Sequence, residues 1–212
     1  VGIAGGIGSR LARRLHADGD QVDGLYRRPE QGKALAADGI EATHGDLTSL
    51  TATGLADLIR GTDVLVFSAG AGGEGGAEAI TKIDGDGLTT AVAAARLAGV
   101  RRFVLVSVFP EAGRDGHVSD TFEHYIDVKK RADVELAAAD LDWVILRPAA
   151  LTDTPGTGRV SLAPALIHTE VTRDDVATTL AELVHAPEVR RTILELTEGP
   201  TPIGTAVQRL VG

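Results

Sequence analysis

Glycines at spacing three, at the very head of the chain, constrain this sequence more than any later feature. In Val1-Gly2-Ile3-Ala4-Gly5-Gly6-Ile7-Gly8-Ser9-Arg10-Leu11 the pattern G-x-x-G-x-x-G leads straight into apolar residues at helical spacing. Such a stretch suits a strand end, a sharp turn and a helix N-terminus aimed at a phosphate. Glycine belongs there because a Cβ would block the turn or hold a pyrophosphate away from the backbone N–H groups, and the helix dipole favours the anion. Alone the triplet is weak, since a chain with 26 glycines can place three of them in an ordinary turn. Gly2, Gly5, Gly6, Ile7 and Gly8 are the residues expected to cradle phosphate. The chain has no methionine, and Val1 is all there is of the strand expected before the turn, so that strand is expected to be cut short.

Strand and helix patterns alternate after this turn. Beyond a helix ending near Asp18, the pattern predicts a strand at 21–26, a helix at 30–38, a strand at 40–44, a helix at 51–59 and a strand at 64–67. A glycine-rich loop (70–76), an Ala-rich helix (77–98), a strand (100–107), a loop (109–121), a helix (122–139) and a strand (143–146) come next. Short apolar strands alternating with helices predict an α/β fold, a Rossmann-type doubly wound parallel sheet with helices on both faces. Beyond Pro148 the rhythm loosens into a turn-rich stretch (152–158), a helix (173–186), a strand (192–196) and a last helix (202–211). This tail reads as a small C-terminal cap, with 150–212 on the substrate side. With no internal repeat and no linker composition, residues 1–212 are expected to form one domain.

Composition narrows the partners. Apolar residues make up 43% of the chain, with one Trp, two Tyr and four Phe, so the core must be mostly Ala, Val, Leu and Ile. A formal charge of −9 without runs of like charge argues against nucleic acid or an anionic membrane as the main partner. An anion must therefore be held locally. The absence of cysteine excludes a disulfide, a thiolate nucleophile and a Cys-based metal site, and fits a reducing compartment. No stretch approaches the ~20 apolar residues of a membrane span and no signal peptide is visible, so the cytoplasm is expected. No HExxH or comparable spacing occurs, so no metal is expected.

The corner after 21–26 bears on which dinucleotide could lie there. Folds specific for NAD place an acid near the end of that strand, on the ribose 2′-hydroxyl. Here Gly24-Leu25-Tyr26 runs into Arg27-Arg28, and Asp23 sits inside the strand. Two guanidiniums suit a 2′-phosphate, so NADP is favoured over NAD; the alternative is a solvated basic turn. Asp46 and Leu47, after the next strand, are the natural place for adenine contacts.

The helix at 122–139 carries Tyr125 and Lys129 at i and i+4, on one face. A phenol titrates near pH ~10, and moving it to neutrality needs ~4 kcal/mol of preference for phenolate, which a nearby cation helps to supply. That is what a tyrosine acid/base requires. The pair is equally ordinary on an amphipathic helix.

The glycine turn, Gly45-Asp46-Leu47, Ser107 ending its strand, Tyr125-x-x-x-Lys129 and Leu146-Arg147-Pro148 occur in the order seen in short-chain dehydrogenases/reductases. The chain most resembles their atypical, extended-like branch, the NAD(P)-binding and NAD(P)-dependent epimerase/dehydratase proteins. The likeness extends to the Asp153-x-Pro155-Gly-Thr-Gly158 turn and the Thr172-Arg173-Asp174-Asp175-Val176-Ala177 helix start. It implies that Tyr125 donates or accepts the proton, that Lys129 holds the nicotinamide ribose and lowers the tyrosine's pKa, and that Ser107 bonds the substrate oxygen. Asp84 stands where many relatives have an active-site Asn, Ala69 and Gly70 would line the cofactor, and Pro148 would lie beside the nicotinamide. Two departures stand out. Ser107 is followed by Val108-Phe109 and not by a second hydroxyl residue, and the chain is shorter than the extended enzymes that grip nucleotide-sugars.

These readings converge on an NADP(H)-binding oxidoreductase acting on a small carbonyl or alcohol, with a pocket built from 109–122 and 150–168 and made partly apolar by Phe109, Phe122 and Leu151. His117 and His168 fall in loops that could face that pocket. His16, His44 and His185 read as edge residues, and His124 as pointing a quarter turn from Tyr125. Two alternatives stay open: a cofactor-sensing regulatory protein, and a flavin or quinone reductase that needs no tyrosine. The oligomeric state is left open.

Overall fold

The computed structural model describes residues 1–72, 75–112, 116 and 118–211. In chain order its first half comprises α1 (Gly6–Asp18), β1 (Leu25–Tyr26), α2 (Pro29–Ala37), β2 (Thr43–His44), α3 (Ala52–Ile59), β3 (Val64–Phe67) and α4 (Gly76–Ile80). A π-helical turn (Thr81–Asp86) leads into α5 (Gly87–Ala98), followed by β4 (Arg102–Val106), α6 (Asp120–Ala138) and β5 (Asp142–Pro148). The remainder is β6 (Ala150–Thr152), β7 (Arg159–Ala163), β8 (Glu170–Thr172), α7 (Arg173–Val184), β9 (Thr192–Glu198), β10 (Thr201–Pro202) and α8 (Ile203–Gln208).

The central sheet has the order β10-β7-β9-β5-β4-β3, with β3, β4, β5 and β9 parallel and β7 and β10 antiparallel at one edge. Val104, Val106, Val144, Leu146, Leu194 and Leu196 meet a core shared with α1, α7 and α8, while Phe103, Leu105, Trp143, Ile145 and Ile193 meet one shared with α3, α5 and α6. This two-sided burial is what an interior parallel strand requires, and it explains the near-continuous apolar runs. The doubly wound α/β architecture expected from the sequence is present.

Several expected elements differ. The strand expected at 21–26 is ladder-paired only at Leu25–Tyr26, with β2, as a separate parallel ribbon. A cleft lined by Val1, Ile3, Leu15, Val22, Leu58 and Val64 lies between that ribbon and β3. Residue 1 still runs beside β3, since the Val1 ammonium donates to the Val66 carbonyl and Ser68 N–H donates to the Val1 carbonyl. The single helix expected at 77–98 is interrupted by the π turn. The tail is no mere cap: β7, β9 and β10 extend the main sheet, and β6 and β8 pair with each other. Strands of two or three residues carry too little periodicity to announce themselves. The last helix stops at Gln208. His117, Gly73 and Gly113 lie outside the described residues.

One buried charge serves the fold alone. Arg102, inward on β4, donates to the carbonyls of Leu183, Ala186 and Val189 and so closes the C-terminal end of α7.

Candidate functional site

At the head of the chain, Gly2 has φ +90°, and a Cβ there would come within 2.5 Å of the Ala69 backbone nitrogen. A Cβ on Gly8 would collide with the Gly2 carbonyl. These two positions need glycine, and the turn they make lies directly on Ser68-Ala69 at the carboxyl end of β3. Helix α1 then starts with Gly5 as N-cap, without a side-chain cap and with no acid in its first turn. Its first N–H groups are therefore available to an anion, as a dinucleotide pyrophosphate would require.

Two arginines stand over that turn. Arg10 donates to the Gly6 carbonyl (2.7 Å), to Asp174 (2.7 Å) and to Asp153 (3.4 Å). Arg173 donates to the other Asp153 oxygen (2.8 Å), and its Cδ and Nε lie 3.0 and 3.2 Å from where a Gly6 Cβ would be. Asp153 comes from the turn after β6 and Arg173 opens α7, whose N-cap Thr172 accepts from Asp175 N–H. Sequence reasoning passed over Arg10. It met Arg173 only as part of a helix-start likeness.

At the second corner Arg27 and Arg28 are both exposed. The Arg28 guanidinium pairs with Glu30 at 2.9 Å, and Arg27 lies close enough to Asp46 to help hold its carboxyl below the usual range. The larger cause is Thr48, whose N–H donates to Asp46 Oδ1 (2.9 Å). Leu47 leans against Gly87, the first residue of α5, where a Cβ would meet it at 2.7 Å.

The rest of the site lies at the carboxyl ends of β3, β4, β5 and β9. On the side facing α6, Leu105, Ile145 and Ile193 are each succeeded two residues later by a polar residue: Ser107, Arg147 and Glu195. Against this row α6 sets Lys129 and Asp133, and the π turn adds Asp84. Asp84, Lys129, Asp133 and Ser107 are all buried. Lys129 Nζ donates to the Val106 carbonyl (2.9 Å) and stands 3.6 Å from Asp84 Oδ1. Asp84 Oδ2 accepts from Ala71 N–H (3.0 Å), tying the lysine to the loop beneath the glycine turn. Asp133 takes both Nε (2.9 Å) and Nη2 (2.8 Å) of Arg147 on one oxygen. Its other oxygen and the Ser107 hydroxyl make no hydrogen bond of full geometry among the described residues, but they lie close enough for Ser107 to favour the ionised Asp133 carboxylate. Glu195, the register partner of Arg147, accepts from Leu166 N–H (2.6 Å). Signs alternate along the row, as burial of so many charges demands.

This environment reverses one expectation. Lys129 was expected to lower the Tyr125 pKa, yet Tyr125 is pushed well above the ordinary phenol value, by burial first and by the Asp84 and Asp133 charges next. Lys129 itself is pulled down by burial, against the opposing charges of Asp84 and Asp133. Burial likewise raises Asp133, against Ser107, Arg147 and Lys129. With its ammonium turned to Val106 and Asp84, Lys129 leaves Tyr125 a phenol.

Tyr125 is partly buried, its ring 6.0 Å from that of Phe122. Phe109 is buried, with the exposed His168 ring edge-on at 5.1 Å, and Leu151 is 37% exposed. Pro148 is buried at the end of β5. His124 bonds Thr81 in the π turn (2.8 Å). The sequence reading missed Asp133 and Glu195, and met Arg147 only within the Leu146-Arg147-Pro148 likeness. Asp133 continues the four-residue spacing of Tyr125 and Lys129, which was the available signal. No described helix is long and apolar enough to cross a membrane.

Comparison with known proteins shows the family and the fold. The model of a family described as NAD(P)H-binding matches residues 2–187. The Bacillus subtilis protein named "Uncharacterized sugar epimerase YhfK" is 34% identical over 211 residues, covering 99% of this chain and 98% of the relative. A solved Bacillus halodurans structure, described as an NAD-dependent epimerase/dehydratase, is 30% identical, with a TM-score of 0.89 over 99% of this chain and 97% of the other. ChuY from Escherichia coli O157:H7, described as an "Anaerobillin Reductase", is 25% identical, with a TM-score of 0.74 over 92% of this chain and 94% of the other.

Proposed function

The chain belongs to the NAD(P)H-binding family, whose relatives are of oxidoreductase and epimerase type, and on that footing we propose that it is an NADP(H)-dependent reductase of a small carbonyl compound. The observation that carries this reading is the buried row Asp84, Lys129, Ser107 and Asp133 with Tyr125 beside it, at the strand ends next to the glycine turn. A reduced nicotinamide, when bound, supplies hydride. Tyr125, a phenol before ligand binds, then delivers the proton to the substrate oxygen, a role that requires its raised pKa to come down toward neutrality, while Ser107, which is buried beside Asp133, receives that oxygen. Lys129 holds the end of β4 through Val106 and Asp84 holds the Ala69–Ala71 loop, so both position the site. Gly2, Gly5, Gly6, Ile7 and Gly8 receive the pyrophosphate, and Ala69, Gly70 and Pro148 line the cofactor. Asp46 and Leu47 border the adenine, and Arg27 and Arg28 take the 2′-phosphate.

The inward commitment of Lys129 also favours a second reading, hydride transfer to a flavin or quinone whose proton comes from water. One assay separates the readings. NADPH oxidation is followed with aldehydes, ketones, flavins and quinones, using the intact protein and Tyr125→Phe. Carbonyl turnover lost in Tyr125→Phe with NADPH binding retained supports the first reading. Turnover with flavin or quinone alone, indifferent to the substitution, replaces it with the second. Tight NADPH binding without turnover points to a sensor and removes both.

A further inference from the structure

The positive end of α1 is crowded with more cationic charge than the proposed function uses. Its first turn has no capping side chain and no acid, yet Arg10 and Arg173 bring two guanidiniums to it. Cations at a helix N-terminus oppose the dipole. The two nearby carboxylates, Asp153, which is exposed, and Asp174, which is partly buried, are engaged in holding the arginines in place. Arg10 is spoken for by Gly6, Asp174 and Asp153. Arg173 is different: only Nη1 is bonded, and Nε and Nη2 have no partner among the described residues. Its stem occupies the space that any side chain at residue 6 would fill. A guanidinium fixed at one corner, with open donors beside uncapped amides, is a site for an anion with several oxygens.

We infer that Arg173 is a cofactor-binding residue: held by Asp153 across Gly6, it donates to the pyrophosphate of the dinucleotide, so that the segment from β6 to α7 forms one wall of the cofactor site. The inference rests on the proposed dinucleotide site and adds to it a residue from the far end of the chain. It also gives the Asp153 turn and the Thr172-Arg173 helix start, 20 residues apart in sequence, a shared task. Asp153 aims the guanidinium and Thr172 fixes the helix that carries it. A tether that merely joined α7 to α1 would make the same ion pair but would not affect ligand binding through the phosphates.

Equilibrium binding of NADPH, NADH and 2′-AMP to the intact protein and to Arg173→Met tests this, with thermal unfolding of each unliganded protein as the control. NADPH and NADH should both weaken about tenfold to a hundredfold, the range of one charge-assisted phosphate contact, while 2′-AMP, which has no pyrophosphate, binds unchanged. Arg173→Lys should recover part of the loss. NADPH affinity within twofold of the parent overturns the inference, as does an equal loss for 2′-AMP. Should Arg173→Met fail to fold, Asp153→Asn, at an exposed position, should weaken both dinucleotides severalfold by releasing the guanidinium, and unchanged affinity there is equally fatal. A parent protein that binds no dinucleotide removes the proposed function itself, an outcome distinct from a variant that binds like its parent.

Discussion

Replacing Asp84 by Asn keeps the shape of the side chain and leaves an oxygen for Ala71 N–H, but removes the charge opposite Lys129. Both groups are almost wholly enclosed, at 2% and 3% exposure, and 3.6 Å apart. Removing one partner of such a pair typically costs about 3–5 kcal/mol, because the remaining charge is stranded. The lysine has an escape, which is to lose its proton. Its ordinary value is ~10.4, so at pH 7 neutralisation costs at most about 4.6 kcal/mol, being 3.4 pH units at about 1.36 kcal/mol each. That ceiling falls to about 2 kcal/mol at pH 9. Linkage sets the sign. Lys129 is lowered in the folded protein, so its contribution to stability is present above its unfolded value and is lost as pH falls through its folded value; the substitution lowers that folded value further. The deficit of Asp84→Asn is therefore largest at low pH and shrinks as pH rises. Urea unfolding of parent and variant at pH 6, 7, 8 and 9 measures it. A deficit below 1 kcal/mol at pH 7, or one that does not change with pH, would refute the picture of a buried, charge-compensated lysine.

Two further outcomes are expected. In a Tyr26→Phe background Tyr125 is the only phenol, and because burial and two carboxylates raise it, ultraviolet titration should show no tyrosinate at pH 10 in the folded protein and its appearance on unfolding; a folded-state transition below pH 9 contradicts the reading. Arg102→Met should destabilise the fold by about 1–3 kcal/mol, since the Val189 carbonyl loses its donor while those of Leu183 and Ala186 keep only a backbone N–H, and no change in urea unfolding would show that water replaces the guanidinium without cost.

Residues that answer to a local rule were legible from the sequence, and residues that answer to distant neighbours were not. The glycines at 2 and 8 declare themselves because no other residue fits against Ala69 and the Gly2 carbonyl. Apolar runs such as Arg102–Val106 and Asp142–Pro148 declare interior strands because both faces are covered. By contrast, β6 and β8 exist only because residues some 20 apart meet, and nothing within three residues encodes that. The direction of the Tyr125 shift was misjudged for the same reason. Spacing on one helix revealed the cation at Lys129 but could not reveal that Asp84, from the π turn, and the Val106 carbonyl already claim it. Arg173 escaped notice as a partner of Gly6 because the two lie 167 residues apart.

The widened turn at Thr81–Asp86 makes Asp84 depend on chain length as much as on residue type. A π turn accommodates a surplus residue between two ordinary helical stretches. Excising one residue would let α4 and α5 fuse into a regular helix, with the outer packing of α5 on α3 kept. The carboxylate would meanwhile swing about 100° around the axis, away from the lysine. A relative one residue shorter here could thus keep every neighbouring side chain and still lack the acid, and would be recognised by counting residues across the turn.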